Sequence, residues 1–191
     1  MKKQLLFIQG AGEGAYTEDK KLAATLQQLL GSSYEIRFPR MENEEDADYT
    51  TWANQISEEM KSLGDKVILV GHSVGASVII KFLSEQKATN TIVGTFLIAT
   101  PFWGREKGWK YEGYETLELP SKANSVFPVN MPLFFYHSSD DEVVPFAHLS
   151  LFSEEFPAAT IRKIEKGGHQ LNNDLSEVAK DINALKPVTA S

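Results

Sequence analysis

A chain of 191 residues with 42% hydrophobic and 24% charged side chains is long enough for one domain with a substantial core and leaves little for a second. Its net charge of -7 argues against a general binder of nucleic acid or of an anionic membrane surface. The absence of cysteine excludes a disulfide framework, a thiolate zinc site and a cysteine nucleophile.

Met1-Lys2-Lys3 followed by Leu5-Leu6-Phe7-Ile8 resembles the start of a secretory leader, but the apolar run stops at Gln9-Gly10 and is too short for one. It reads as a first strand, Gln4 to Gln9, and a cytoplasmic location follows as the expectation. No later apolar stretch approaches the roughly 18 residues of a membrane-spanning helix. Gly10-Ala11-Gly12-Glu13-Gly14 is a glycine-rich loop. Its spacing is neither G-x-G-x-x-G nor a G-K-[ST] phosphate loop, so neither a nucleotide nor any other cofactor is expected.

Leu22, Leu26 and Leu29 mark the apolar face of a helix over Tyr16 to Leu30, closed by Gly31. Tyr34 to Phe38 is the next strand. The acidic run Glu42, Glu44, Glu45, Asp46 and Asp48 precedes Trp52, Ile56, Met60 and Leu63 at helical spacing, and reads as solvated acids near a helix N-terminus.

Lys66 to Phe82 then changes character in the middle. Val67 to Val70 is a buried parallel strand, Val74 to Phe82 a buried helix, and Gly71-His72-Ser73-Val74-Gly75 stands between them. This is G-x-S-x-G in the strand-to-helix context that makes it a nucleophile elbow. The abrupt turn strains Ser73 and leaves no room for a Cβ at Gly71 or Gly75. The helix N-terminus directs free N–H groups at the serine oxygen.

Thr91 to Thr100 is another strand. Residues 102–128 lack periodicity but hold Phe102, Trp103, Trp109, Tyr111 and Tyr114. So many aromatics argue against disorder, and Trp103, Trp109 and Tyr111 are candidates either to line a substrate pocket or to cover the end of the sheet. Leu133 to His137 is a strand, Pro145 to Phe156 a helix, and Ala159 to Ile164 the last strand, leading into Gly167-Gly168-His169. A final helix carries Leu175, Val178, Ala179, Ile182 and Leu185, with Asn173 or Asp174 as its cap. Alternating strands and helices imply an α/β fold with a mainly parallel sheet covered on both faces. One domain is expected over residues 1–186, with 102–128 as a short cap or substrate loop and 187–191 as a loose tail.

Working residues in such a sheet lie at the carboxyl ends of strands. Ser73, the pair Asp140 and Asp141, and His169 each follow a strand, in the chain order Ser, Asp, His. Ser73 needs a base to take its proton, a role assigned to His169, and a carboxylate to orient that base, assigned to Asp141. His72, His137 and His148 have neither the order nor the loop context of the base. A metal site is not expected, since there is no H-E-x-x-H, no H-x-x-x-H pair and no EF-hand spacing.

These residues make the chain similar to small serine hydrolases of the α/β-hydrolase superfamily, and most similar to the compact retinoblastoma-binding-protein-like and YdeN-like group. The resemblance implies little or no cap domain and a D-x-x-V-P stretch for the acid, here Asp141-Glu142-Val143-Val144-Pro145. It also implies a G-H loop for the base, here Gly168-His169. Such proteins usually carry His-Gly-X after the first strand; this chain has Gln9-Gly10-Ala11. The backbone N–H groups of Ala11 and Val74 are the expected oxyanion donors. The expected activity is hydrolysis of a small-molecule acyl substrate through an acyl-serine. Thioester, lactone and peptide bonds remain open, as does an interaction module keeping a vestigial triad.

Overall fold

The computed structural model describes residues 2–85, 88–104, 108–120, 123–127 and 131–186. The expected tail 187–191, and residues 105–107, 121–122 and 128 of the aromatic segment, lie outside the described residues.

Strands β1 (Lys3–Ile8), β2 (Tyr34–Arg37), β3 (Lys66–His72), β4 (Thr91–Ile98), β5 (Leu133–Ser138) and β6 (Thr160–Ile164) form one sheet. Its order is β2-β1-β3-β4-β5-β6, and every pairing is parallel. Parallel strands need helical crossovers, which here are α1 (Ala15–Leu30), α2 (Tyr49–Lys61), α3 (Ser73–Ser84), α4 (Ala123–Val126) and α5 (Ala147–Glu155), with α6 (Ser176–Asn183) closing the fold.

The period of two along β1 decides which layer each residue serves. Leu5 and Phe7 point into a core shared with Leu22 and Leu26 of α1 and Val178 and Ile182 of α6. Leu6 and Ile8 point into the opposite core, with Trp52 and Ile56 of α2, Ile79 of α3 and Phe152 of α5. A sheet buried on both faces explains the near-continuous apolar runs of β1 and β3. The fold is that of a compact α/β hydrolase. Between β4 and β5 the described residues form an isolated bridge between Trp103 and Trp109, a single turn at Glu115–Leu117 and the short α4, and no cap domain stands among them.

Local signals set the element ends. Gly31 ends α1 at φ 70, a conformation that favours glycine. Asp48 caps α2, its Oδ2 accepting the Thr51 N–H at 2.7 Å. The acidic run is not uniformly solvated, because Glu44 is buried. The last helix starts later than its pattern suggests: Asn173 belongs to a separate turn, while Asp174 accepts the Ser176 N–H at 2.9 Å.

Candidate active site

Strand β3 passes into α3 with no residue between them, which forces Ser73 to φ 52. A non-glycine residue at positive φ is uncommon and is held only where its surroundings over-determine it. The neighbouring glycines show how. A Cβ on Gly75 would stand 2.1 Å from the Gln9 carbonyl oxygen, and one on Gly71 would stand 2.7 Å from the Ala76 Cα. Strand β1 and helix α3 therefore close on the turn from both sides.

The residues singled out from the sequence all fall at the carboxyl ends of strands: Ala11 after β1, Ser73 after β3, Asp141 after β5 and His169 after β6. His169 Nδ1 stands 3.0 Å and 3.1 Å from the two oxygens of Asp141. With Nδ1 facing a carboxylate, the proton belongs there and the lone pair of a neutral ring lies on Nε2. Asp141 also accepts the N–H groups of Val143 and Val144 at 2.8 Å each. Its other neighbour is His137 Nε2 at 3.2 Å. Burial pushes the Asp141 pKa up, but hydrogen bonds from His137 and His169 outweigh it and hold the group ionised well below the usual carboxylate range.

Ser73 Oγ and His169 Nε2 make no hydrogen bond to each other in this structure. The ring of His72 links the two residues: it lies 4.7 Å from the His169 ring between centroids, and its Nε2 is 3.0 Å from the His169 carbonyl oxygen. Catalytic hydrogen bonds in substrate-free proteins are often long and tighten on binding.

The loop after β1 is fixed from beneath. Gln9 is fully buried; its amide donates to Glu44 at 2.8 Å and accepts the Met41 N–H at 3.1 Å. Glu44 also accepts the Tyr16 N–H at 2.9 Å, and its carbonyl takes the Gly12 N–H at 2.6 Å. The Gly10 N–H goes to Asp19 at 2.7 Å. Among the described residues, the N–H groups of Ala11 and Val74 have no hydrogen-bond partner. Gln9, standing where the resemblance has histidine, is thus an anchor for the loop.

The three aromatic candidates separate by exposure. Trp103 is buried, donating from Nε1 to Ser77 Oγ at 2.9 Å, one turn along α3 from Ser73, and it stacks on Tyr114 at 4.9 Å. Trp109 is half-buried, edge-on to Trp103 and to His148, and Tyr111 is 55% exposed. His148 is buried and accepts the Phe102 N–H on Nδ1 at 3.0 Å.

A cleft of about 1360 Å³ lies away from this site, toward the amino-terminal ends of β1 and β3, between Lys3, Arg37, Lys66 and Leu185. None of the residues around Ser73 lines it. Among the described residues, no group of three or more His, Cys, Asp or Glu is arranged to hold a metal ion. No helix there is long and apolar enough to cross a membrane.

Two residues invisible to motif reading complete the site, Glu44 and Asp19. Glu44 carries no signal within its acidic run. Asp19 does carry one, because it precedes Leu22, Ala23 and Leu26 by three, four and seven positions and so lies on the buried face of α1.

Comparison with known proteins gives a consistent picture. A family model described as serine hydrolase matches residues 18–177. No curated protein matches the sequence. Among solved structures, the ydeN gene product of B. subtilis is similar, with a TM-score of 0.70 at 19% identity over 96% of this chain and 98% of that one. Est1E from Butyrivibrio proteoclasticus, solved with ferulic acid bound, has a TM-score of 0.68 at 15% identity over 96% and 88%. The esterase domain of a Rhodothermus marinus protein has a TM-score of 0.66 at 15% identity over 95% and 85%. At such identities the likeness is one of fold.

Proposed function

The chain belongs to the serine hydrolase family, and on that premise we propose that it cleaves a small carboxylic ester through an acyl-serine intermediate on Ser73. The observation that carries this reading is the paired contact of His169 Nδ1 with both oxygens of Asp141, beside a serine held in a strained elbow.

In this reading Ser73 Oγ attacks the ester carbonyl carbon and gives its proton to His169 Nε2. Asp141, ionised and buried, keeps the proton of Nδ1 in place and stabilises the imidazolium as it forms. The carbonyl oxygen becomes an oxyanion facing the unpartnered N–H groups of Ala11 and Val74, each worth about 3 kcal/mol of transition-state stabilisation. His169 then returns the proton to the departing alcohol. Water, deprotonated by the same nitrogen, attacks the acyl-serine, releases the acid and regenerates Ser73. Trp109 and Tyr111, the more exposed aromatics, are the candidate contacts for the substrate beyond the reacting bond. No cofactor or metal is required. A cytoplasmic location belongs to the same reading.

The test is labelling with an active-site-directed fluorophosphonate, together with turnover of p-nitrophenyl esters of graded acyl length and one aromatic acyl ester. Wild type should label on Ser73, and Ser73→Ala should neither label nor turn over. A folded wild-type protein that resists the probe at neutral pH overturns the reading.

A further inference from the structure

We propose that Asp19 is a positioning residue for this reaction: its carboxylate ties the oxyanion loop, the elbow and the base-bearing loop to one another through a doubly protonated His72. The proposal rests on the assignment of Ser73 as nucleophile.

His72 and Asp19 are each 1% exposed. Both ring nitrogens of His72 face acceptors. Nε2 stands 3.0 Å from the backbone carbonyl of His169, which can only accept, so Nε2 carries a proton. Nδ1 stands 2.9 Å from Asp19 Oδ2, the same oxygen that accepts the Gly10 N–H at 2.7 Å. An oxygen already accepting from an amide, in a carboxylate whose other oxygen accepts from Gln170 Nε2 at 3.0 Å, is best served by a second donor. Nδ1 therefore carries a proton as well, and the pair is imidazolium and carboxylate. Burial opposes both charges, but their attraction and hydrogen bonds outweigh it, raising the His72 pKa and lowering that of Asp19. The groups facing His72 are Asp19 from α1, the carbonyl and the ring of His169 after β6, the ring at 4.7 Å between centroids, and, at longer range, the charge of Asp141 after β5.

What makes the pair more than a core ion pair is where its hydrogen bonds end. Gly10 adjoins Ala11, His72 adjoins Ser73, and Gln170 adjoins His169. One carboxylate thus holds the residue next to an oxyanion donor, the residue next to the nucleophile and the residue next to the base. Three loops from distant parts of the chain meet on it, and a displacement of about 1 Å among such groups costs on the order of 100-fold in rate.

Asp19→Asn keeps the shape but removes the charge. His72 then either loses a proton or stays charged without a counterion, and its clamp on the two loops weakens. The full-length wild type, Asp19→Asn, Gln170→Ala and Ser73→Ala proteins would be compared by p-nitrophenyl acetate kinetics, fluorophosphonate labelling and nitrogen-edited NMR of the imidazole rings. The expected result is a kcat lower by on the order of 100-fold in Asp19→Asn with KM little changed, and a smaller kcat loss in Gln170→Ala. In wild type, and in Ser73→Ala, His72 should show two ring N–H protons at neutral pH; in Asp19→Asn it should show one. A singly protonated His72 in wild type overturns the proposal even if Asp19→Asn does not fold, and so does a folded Asp19→Asn with wild-type kcat. If wild type itself fails to label, the Ser73 assignment falls instead, and the NMR result separates the two failures.

Discussion

Asp140 and Asp141 are neighbours in the chain that grip different parts of one loop. Asp140 Oδ1 accepts the N–H groups of Gly167 and Gly168 at 2.9 Å each, whereas Asp141 takes the ring of His169. Glu142 completes the hold by accepting the His169 N–H at 3.1 Å. Backbone and side chain of the proposed base are thus set by three consecutive acids.

The two aspartates should separate in kinetics. Asp141→Asn is expected to lower kcat by about 10³ to 10⁴-fold with KM little changed, because the wrong ring tautomer is then favoured. Asp140→Asn should cost far less, since it still offers an oxygen to the glycine amides. Steady-state kinetics on a p-nitrophenyl ester decide the matter, and equal losses in both would contradict the division of roles.

Glycines can be ranked by what a methyl group would meet. Gly75→Ala places Cβ 2.1 Å from a backbone oxygen that cannot swing away, and should destabilise the fold by about 3 kcal/mol or more. Gly64→Ala meets nothing within 4 Å and should be neutral or stabilising by up to about 1 kcal/mol. Urea denaturation of the two variants checks the contrast.

Glu44→Ala leaves the Tyr16 N–H without its acceptor and removes the shorter of the two hydrogen bonds from the Gln9 amide. The expected stability loss is about 1 to 3 kcal/mol. Because the same loop carries Ala11, kcat should fall with it at temperatures where the variant is fully folded. Full activity in a folded Glu44→Ala protein would show that the loop needs no such support.

Acid should weaken the protein through His148. Burial lowers its pKa from 6.5 to about 4, with the neighbouring His137 acting in the same direction, and its Nδ1 already accepts a backbone N–H. The unfolded chain takes up this proton as pH drops below its ordinary value, while the folded chain resists until about 4. The contribution is therefore complete above pH 6.5 and lost as pH falls toward 4, amounting to roughly 2 to 3 kcal/mol. His148→Asn keeps an acceptor for the Phe102 N–H and removes the titration. Its unfolding free energy should vary less with pH across that window, as measured by chemical denaturation at several pH values.

Much of this was legible in the sequence because it is written locally. The elbow is five consecutive residues whose glycines answer a steric demand, and the strand-helix alternation follows from short apolar runs between turn signals. The supports of the site are not local. Asp19 reads as one more acid in a charged helical turn, and only its register with Leu22 and Leu26 hints that it points inward. Glu44 reads as part of a solvated acidic cluster, since nothing in that run marks which carboxylate the fold turns toward Gln9. His72 fills an unspecified position of the motif; its partners come from α1 and from the loop after β6, contacts that no spacing rule encodes.

The fit of Gly75 against the Gln9 carbonyl also governs when the site can exist at all. The turn bearing Ser73 is wedged between β1 and α3, so it cannot open while β1 remains paired in the sheet. The sheet-paired backbone amides of β3 that lead into it should exchange with solvent only through global unfolding. During folding, the reactive geometry should appear late, after the non-local pairing of β1 with β3 is complete. A partly folded chain would then hold no active serine.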